Sequence, residues 1–462
     1  MRRAFINRWQ GAGGLKEVLF LALPLVISTS AHSVQLFIDR MFLFKISPDA
    51  MSASMQSGLS SFAIIAFFIG ITGYSNMFVA QYLGAQRFER IGPATWQAIY
   101  LAGVGGCVIV LLIPFAQTIS IWFAHDDALA YYETIYFKWM CAAAPFMLIS
   151  SAISGFYTGR GKTAIVMWVN LAAMMINIVL DYCFIFGNWG FPKLGFMGAP
   201  IATFIATAVT TIWYVIDFVR QKNRDQFFTN NYYFDVALFR RLIRFGLPAG
   251  IQFAMEIFPF ALFIMFIGRI DVLALSASVI AFQLNVLAFL PMIGFGIAVS
   301  TLVGQNIGRH EVAIASRATW SACYMCLGYM TVIALFVILF PNVCLYPFIN
   351  GLQKDVVEIT CWATNILWFI AFYSLFNAGN IIFSGALKGA GDTRFVMITS
   401  ITLNWLVLVF PVWLSWKMGW GVYAIWGFAT LYVCMLAVSY LCRFVSGKWK
   451  SMRVIEADDA FA

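Results

Sequence analysis

The chain has 462 residues, 62% of them hydrophobic and only 11% charged, with 46 Phe, 20 Met and 16 Trp. A water-soluble domain carries roughly 25% charged residues, so this composition excludes a soluble enzyme or a soluble binding module. The net charge of +9 could suit a nucleic-acid partner, but the placement of the basic residues follows the apolar segments and reads as a topology signal.

The opening MRRAFINRWQ and the apolar stretch behind it mimic a secretory signal. That stretch runs on to Phe44, too far for the apolar region of a signal peptide, so it is read as the first span. The pattern then predicts helices over 15–44, 50–82, 94–116, 133–158, 163–187 and 195–219. A second set is expected over 240–268, 272–306, 316–340, 356–387, 393–416 and 420–444. Each approaches or exceeds the ~20 residues that cross a bilayer. The short alternating segments of a membrane β-barrel are absent.

Between the two sets, Arg220 to Arg241 is the longest polar stretch, read as a cytoplasmic linker with a short surface helix at its end. With the N-terminus inside, only Arg40, Lys45, Lys138, Lys193, Arg269, Lys354 and Lys417 fall on the outer side. The other Lys and Arg, among them Arg2, Arg3, Arg8, Lys16 and Arg309, fall on cytoplasmic segments. This is the positive-inside bias. It predicts twelve spans with both termini cytoplasmic, in a plasma membrane or, in a Gram-negative cell, the inner membrane.

The chain also reads twice. At one constant offset Leu23–Pro24 recurs as Leu247–Pro248, Gly70 as Gly294, and Val79 to Gly84 (V-x-Q-x-x-G) as Val303 to Gly308. At a slightly larger offset Gly155, Gly159, Gly161 and Thr163 recur as Gly385, Gly389, Gly391 and Thr393. An even number of spans in each copy makes the repeats parallel, related by a pseudo-two-fold along the membrane normal. The expected fold is an all-α integral membrane protein of two six-helix bundles. The expected divisions are 1–219 for the first lobe, 220–240 for the linker and 241–462 for the second lobe.

An ionisable group inside a span costs about 2.5–3.5 kcal/mol on insertion scales, so each one is a functional candidate. Three stand out: Asp39 in the first span, Asp181 in the fifth and Glu256 in the seventh. Asp39 and Asp181 lie at similar distances from the outer ends of their spans, hence at similar depth. Asn177 shares the helix face of Asp181, and Thr203 and Thr207 follow on the sixth span. Carboxylates with neutral oxygens suit a hard cation such as Na+ at Asp39, Asn177 and Asp181. The same carboxylates, taken out of water, equally suit protons.

Bland readings compete with these. Arg40 follows Asp39 directly and could form an interfacial pair with it. The repeat places Glu256 opposite His32, which a buried hydrogen-bonded pair would also explain. His125 with Asp126 and Asp127, and His310, read as solvated loop residues. Cys323-x-x-Cys326 sits in an apolar helix with no second ligand pair and reads as packing. No P-loop, metal-ligand cluster or nucleophile–base spacing is present, so neither an ATPase nor another enzyme is expected. The energy source is then an ion gradient, with no resident cofactor.

On these residues the chain resembles the multidrug and toxic compound extrusion (MATE) family. The resemblance rests on Pro24 and Asp39, VAQYLGA at 79–85, GRGKT at 159–163, NIVLDYCFIFG at 177–187 and GFMGAPIAT at 195–203. It continues through GLPAGIQFAMEIF at 246–258, VGQNIGR at 303–309 and SGALKGAGDTR at 384–394. It implies alternating access and the export of small amphipathic, often cationic compounds in exchange for H+ or Na+, by a monomer in lipid with no nucleic-acid partner. It also implies a first-lobe cation site at Asp39, Asn177 and Asp181, with Thr203 near it. Glu256 matches a second-lobe acid of some branches. Their tenth-span acid has no counterpart here, where only Asn377 and Asn380 are available. The alternative is a lipid or lipid-linked oligosaccharide flippase of the same superfamily, which needs basic residues at mid-depth for phosphate.

Overall fold

The computed structural model describes residues 9–123, 127–349 and 356–456. The readings made on Arg2, Arg3, Arg8, His125, Asp126 and Lys354 lie outside the described residues. Among the described residues no strand occurs, and twelve helices are long and apolar enough to cross a membrane. They are Leu15–Phe44, Ala53–Gly84, Phe88–Ile119, Ala130–Gly159, Thr163–Phe186 and Gly195–Phe218, then Val236–Ile270, Val272–Gly308, Val312–Leu339, Val356–Ala390, Thr393–Met418 and Val422–Val445. The third span starts earlier than the apolar pattern predicts. Phe88–Arg90 forms a 3-10 turn that feeds directly into the helix Ile91–Val110, and Pro93 is accommodated in its first turn, where no backbone donor is needed.

Local chemistry sets several joins. Asp271 alone separates the seventh and eighth spans. Its carboxylate accepts from Leu273 N at 2.7 Å and Ala274 N at 2.9 Å, capping the new helix. The tenth and eleventh spans meet at Gly391, whose φ of 103° is in the region that favours glycine. Gly161, its repeat partner, turns with φ 74° between the fourth and fifth. The two turns share hydrogen bonds as well: Lys162 N donates to Tyr157 O and Asp392 N to Leu387 O, both at 2.9 Å.

The doubled glycines have a packing cause. A Cβ on Gly159 would stand 2.6 Å from the Asn76 carbonyl and 2.7 Å from Val79 Cβ. A Cβ on Gly389 would stand 2.5 Å from the Ser300 carbonyl and 3.1 Å from Val303 Cβ. Asn76 and Ser300, like Val79 and Val303, are repeat partners, so each copy uses the same glycine to bring the same two spans into backbone contact.

Packing divides the chain into two compact units. One comprises Ile27–Ala254 together with residues 454–456. The other comprises residues 9–26 together with Met255–Arg453. The first and seventh spans are therefore each shared between units. Gly70 of the second span packs on Gly250 of the seventh, with a would-be Cβ 2.6 Å from its Cα. Its repeat partner Gly294 packs on Val26 of the first, 2.7 Å from the backbone nitrogen.

The stretch from Arg220 onward differs from its expected form. Its short helix, Gln221–Phe227, comes at the beginning. At its end the chain is already in the seventh-span helix, which starts at Val236 with Leu238 N donating to the Asp235 carboxylate at 3.0 Å. No breaker stands between Val236 and the apolar run, so nothing interrupts the helix there. The stretch is also closely packed. Trp96 Nε1 donates to Thr229 O at 2.8 Å, and Gln97 Nε2 donates to Tyr233 O at 3.0 Å. Arg160 lies 3.9 Å over the Phe156 ring and 4.4 Å over Phe227, and donates to Asn223 Oδ1 at 3.2 Å. Burial brings the Arg160 guanidinium down to about 10, which leaves it charged at neutral pH.

Candidate functional site

Asp39 and Asp181 both point into the unit formed by Ile27–Ala254, with relative exposures of 6% and 0%. Asp39 is carried by the last turns of the first span and Asp181 by the fifth, which ends at Phe186. Each carboxyl group lies within electrostatic reach of the other. The charge of Arg40 also acts on Asp39, but it does not draw the carboxylate out to the surface. Neither oxygen of Asp181 has a hydrogen-bond donor among the described residues.

Asn177, fully buried one turn before Asp181, closes the group. In the orientation that satisfies both ends of its amide, the nitrogen donates to Asp39 Oδ1 at 3.0 Å and the oxygen accepts from Thr203 N at 3.3 Å. The Gln35 amide lies 2.9 Å away. The structure thus brings four residues singled out from sequence, Asp39, Asn177, Asp181 and Thr203, into one cluster. Thr207 stands a turn further on and donates to the Thr203 carbonyl at 2.7 Å.

Two further members of the cluster were not read from the sequence. Gln35 precedes Asp39 by one helical turn, so the spacing rule that picked out Asn177 would have found it. Tyr136 of the fourth span is buried within electrostatic reach of both carboxylates. Nothing local marks it, because its role comes from a helix distant in sequence. A fourth intramembrane acid was also passed over. Glu133, near the start of the fourth span, is 2% exposed, and its carbonyl accepts from the Ser57 hydroxyl at 2.9 Å. The apolar pattern starts the fourth span at residue 133 itself, so Glu133 stands at a predicted helix boundary.

The second-lobe candidates are arranged differently. Glu256 is exposed, and its charge acts on Lys388, Tyr432 and Tyr440 of the tenth and twelfth spans. Asn377 is half-buried and accepts from Asn380 Nδ2 at 3.3 Å. Glu256 and Asn377 belong to the unit that contains Met255–Arg453, whereas His32, the repeat partner of Glu256, belongs to the other. His32 is exposed.

The chemistry of the Asp39 cluster follows from its charges. Two carboxylates held against each other in a dry interior do not both stay ionised without a compensating positive charge. All the groups offered are oxygens or amides, which suits a proton or a hard monovalent cation and disfavours soft transition metals. By its chemistry such a cluster can accommodate one small positive charge.

Comparison with known proteins agrees with this architecture. The MatE family model matches residues 24–183 and 248–413, one block in each repeat. The chain is 25% identical over 452 residues to a probable multidrug resistance protein NorM of Mesorhizobium japonicum, covering 96% of both. It is 26% identical over 401 residues to the multidrug resistance protein MdtK of Edwardsiella ictaluri, covering 85% of both. Its fold is similar to that of an outward-facing multidrug resistance MATE family transporter of the MOP superfamily. That likeness has a TM-score of 0.87 at 17% identity and covers 97% of this chain and 99% of the other. A multi-pass membrane protein whose two repeats are both matched in this way belongs to the MatE family, the multidrug and toxic compound extrusion transporters.

Proposed function

We propose that the protein is a cation-coupled antiporter that exports small amphipathic, often cationic organic compounds by alternating access, driven by H+ or Na+. It works as a monomer in the plasma membrane, the inner membrane in a Gram-negative cell, with both termini cytoplasmic. The observation that carries this reading is the buried Asp39–Asp181 pair, with Asn177 against it and no donor to either oxygen of Asp181. The relatives named as multidrug resistance proteins support the choice of cargo.

The mechanism rests on differential affinity. A site moves an equilibrium only by as much as its ligand prefers one state. With the pair empty, its negative charge favours the state in which water reaches it. A cation entering from outside neutralises the pair and favours the state in which the surrounding helices close over it. Cargo leaves outward in that exchange, and loss of the cation to the cytoplasm resets the cluster. Asn177 holds the Asp39 carboxylate in place through both steps, and Asp181 is the residue that gains and loses its partner.

Purified protein in vesicles, with Na+ and pH gradients imposed separately, tests the reading. A cationic dye should move against one of these gradients, and the Asp39→Asn, Asp181→Asn double variant should not move it. Wild-type dye transport by the double variant would refute the assignment, and dye transport that ignores both gradients would refute the coupling.

A further inference from the structure

The last described residues of the chain are bound, and the residues that bind them form a site of their own. After the twelfth span the chain makes a short turn at Lys448–Ser451. Trp449 is fully buried there, stacked on Phe444 with ring centroids 4.9 Å apart, and its Nε1 donates to the Phe444 carbonyl at 2.8 Å. Arg453 is held by His310, its Nη2 2.6 Å from Nδ1. All of these residues belong to the unit that contains Met255–Arg453.

At Val454 the chain passes into the other unit. Val454 N donates to Gln81 Oε1 at 2.9 Å, and the Val454 and Ile455 side chains are 1% and 8% exposed. Glu456 accepts from the Tyr82 hydroxyl at 2.8 Å and pairs with Arg241 at 2.5 Å and with Arg87 at 3.8 Å. Gln81 and Tyr82 are themselves fully buried in the V-x-Q-x-x-G turn that ends the second span. The site has a place for an extended backbone, two apolar side chains and a carboxylate.

We propose that Gln81, Tyr82, Arg87 and Arg241 form a receptor for the chain's own Val454–Glu456 segment, and that the docked segment is a latch that slows transport until it is released. The grip is suited to reversible use. One backbone hydrogen bond, two apolar side chains and a half-buried ion pair hold a segment with no helix or strand of its own. Arg453 and Val454 are adjacent, and an extended chain spans at most about 3.6 Å per residue. Any conformational step that pulls on the His310 anchor is therefore passed directly to the docked segment.

Charge sets the conditions under which the latch holds. Burial alone would raise the Glu456 carboxyl. A hydrogen bond from its own backbone N–H, the Tyr82 hydroxyl and the charges of Arg241 and Arg90 more than offset this, and hold it below the ordinary carboxylate value. Tyr82, Arg87, Arg90 and Arg241 are the titratable and charged groups that face it. A depressed carboxyl contributes its stabilisation above the unfolded value and loses it only as pH falls through the folded one. At neutral pH the latch is therefore set, and movement or salt releases it.

The latch goes beyond the export reading, and its docking half is tested without transport. In full-length protein in lipid nanodiscs, hydrogen exchange at Val454 should be slow. It should become about tenfold faster in Glu456→Gln and in Tyr82→Phe. Glu456→Asp, which keeps the carboxylate, should leave exchange slow. Wild-type exchange as fast as that of an unstructured peptide would overturn the docking.

In vesicles, Glu456→Gln should export a cationic dye about twofold faster or more, and Glu456→Asp should keep the wild-type rate. Faster exchange at Val454 with an unchanged dye rate would overturn the latch. Absence of dye transport in wild type and variants alike would count against the export reading and against the regulatory half, while hydrogen exchange still decides the docking.

Discussion

The two repeats share a scaffold and differ in what they place inside it. Gly159 and Gly389 meet the same repeat-related carbonyls, and Gly161 and Gly391 turn the chain in the same way. At the smaller of the two repeat offsets Asp39 falls opposite Phe263, and at the larger Asp181 falls opposite Pro411. Phe263 is 2% exposed, with its ring centroid 5.3 Å from Trp426 and 5.7 Å from Phe282. The polar pair of the first repeat thus has an aromatic core as its counterpart. Backbone approach is a demand of the helix packing and is met in both copies. A buried charge is costly wherever it is not used, and only one copy carries the pair.

The largest test of this contrast removes the acids. The Asp39→Asn, Asp181→Asn pair should lower gradient-driven dye efflux by about tenfold or more with normal membrane insertion. Glu256→Gln in the second repeat should cost less than about threefold in the same assay. A larger loss from Glu256 than from the aspartates would reverse the contrast.

The scaffold is tested by Gly159→Val and Gly389→Val. Each should destabilise by about 1–3 kcal/mol through overpacking, and by similar amounts, as read from thermal unfolding of purified protein. Tolerance at one site and not the other would end the equivalence.

A smaller effect is expected at Arg160, whose repeat counterpart is Ala390. Arg160→Met removes the stacking on Phe156 and Phe227 and should cost about 1–2 kcal/mol. It should be seen as faster tryptic cleavage between Arg220 and Arg224, whereas Ala390→Ser leaves cleavage unchanged. The smallest change is Asn377→Ala, which should alter efflux less than about twofold, because its amide oxygen already accepts from Asn380 at 3.3 Å.

Much of this was legible in the residues. The spans follow from apolar length and the repeat from recurring Gly and Pro. The candidate carboxylates stood out because a charge in an apolar run is expensive. Helical spacing placed Asn177 beside Asp181, and the same rule applied to Asp39 would have added Gln35. Glu133 was hidden by an uncertain helix start, and the packed stretch after Arg220 by its polarity. Polar residues there are held by Trp96, Gln97 and Arg160, which lie far from it in sequence.

By itself the sequence determined the helices, their number, the duplication and the family, since periodicity, length and recurring glycines are local properties of the chain. Tertiary structure alone decided that Asp39 meets Asp181 and Tyr136, that the first and seventh spans are each divided between compact units, and that Glu456 sits on Tyr82 and Arg241. The physical reason is that a contact between distant segments depends on how whole helices pack, and no single segment carries that information.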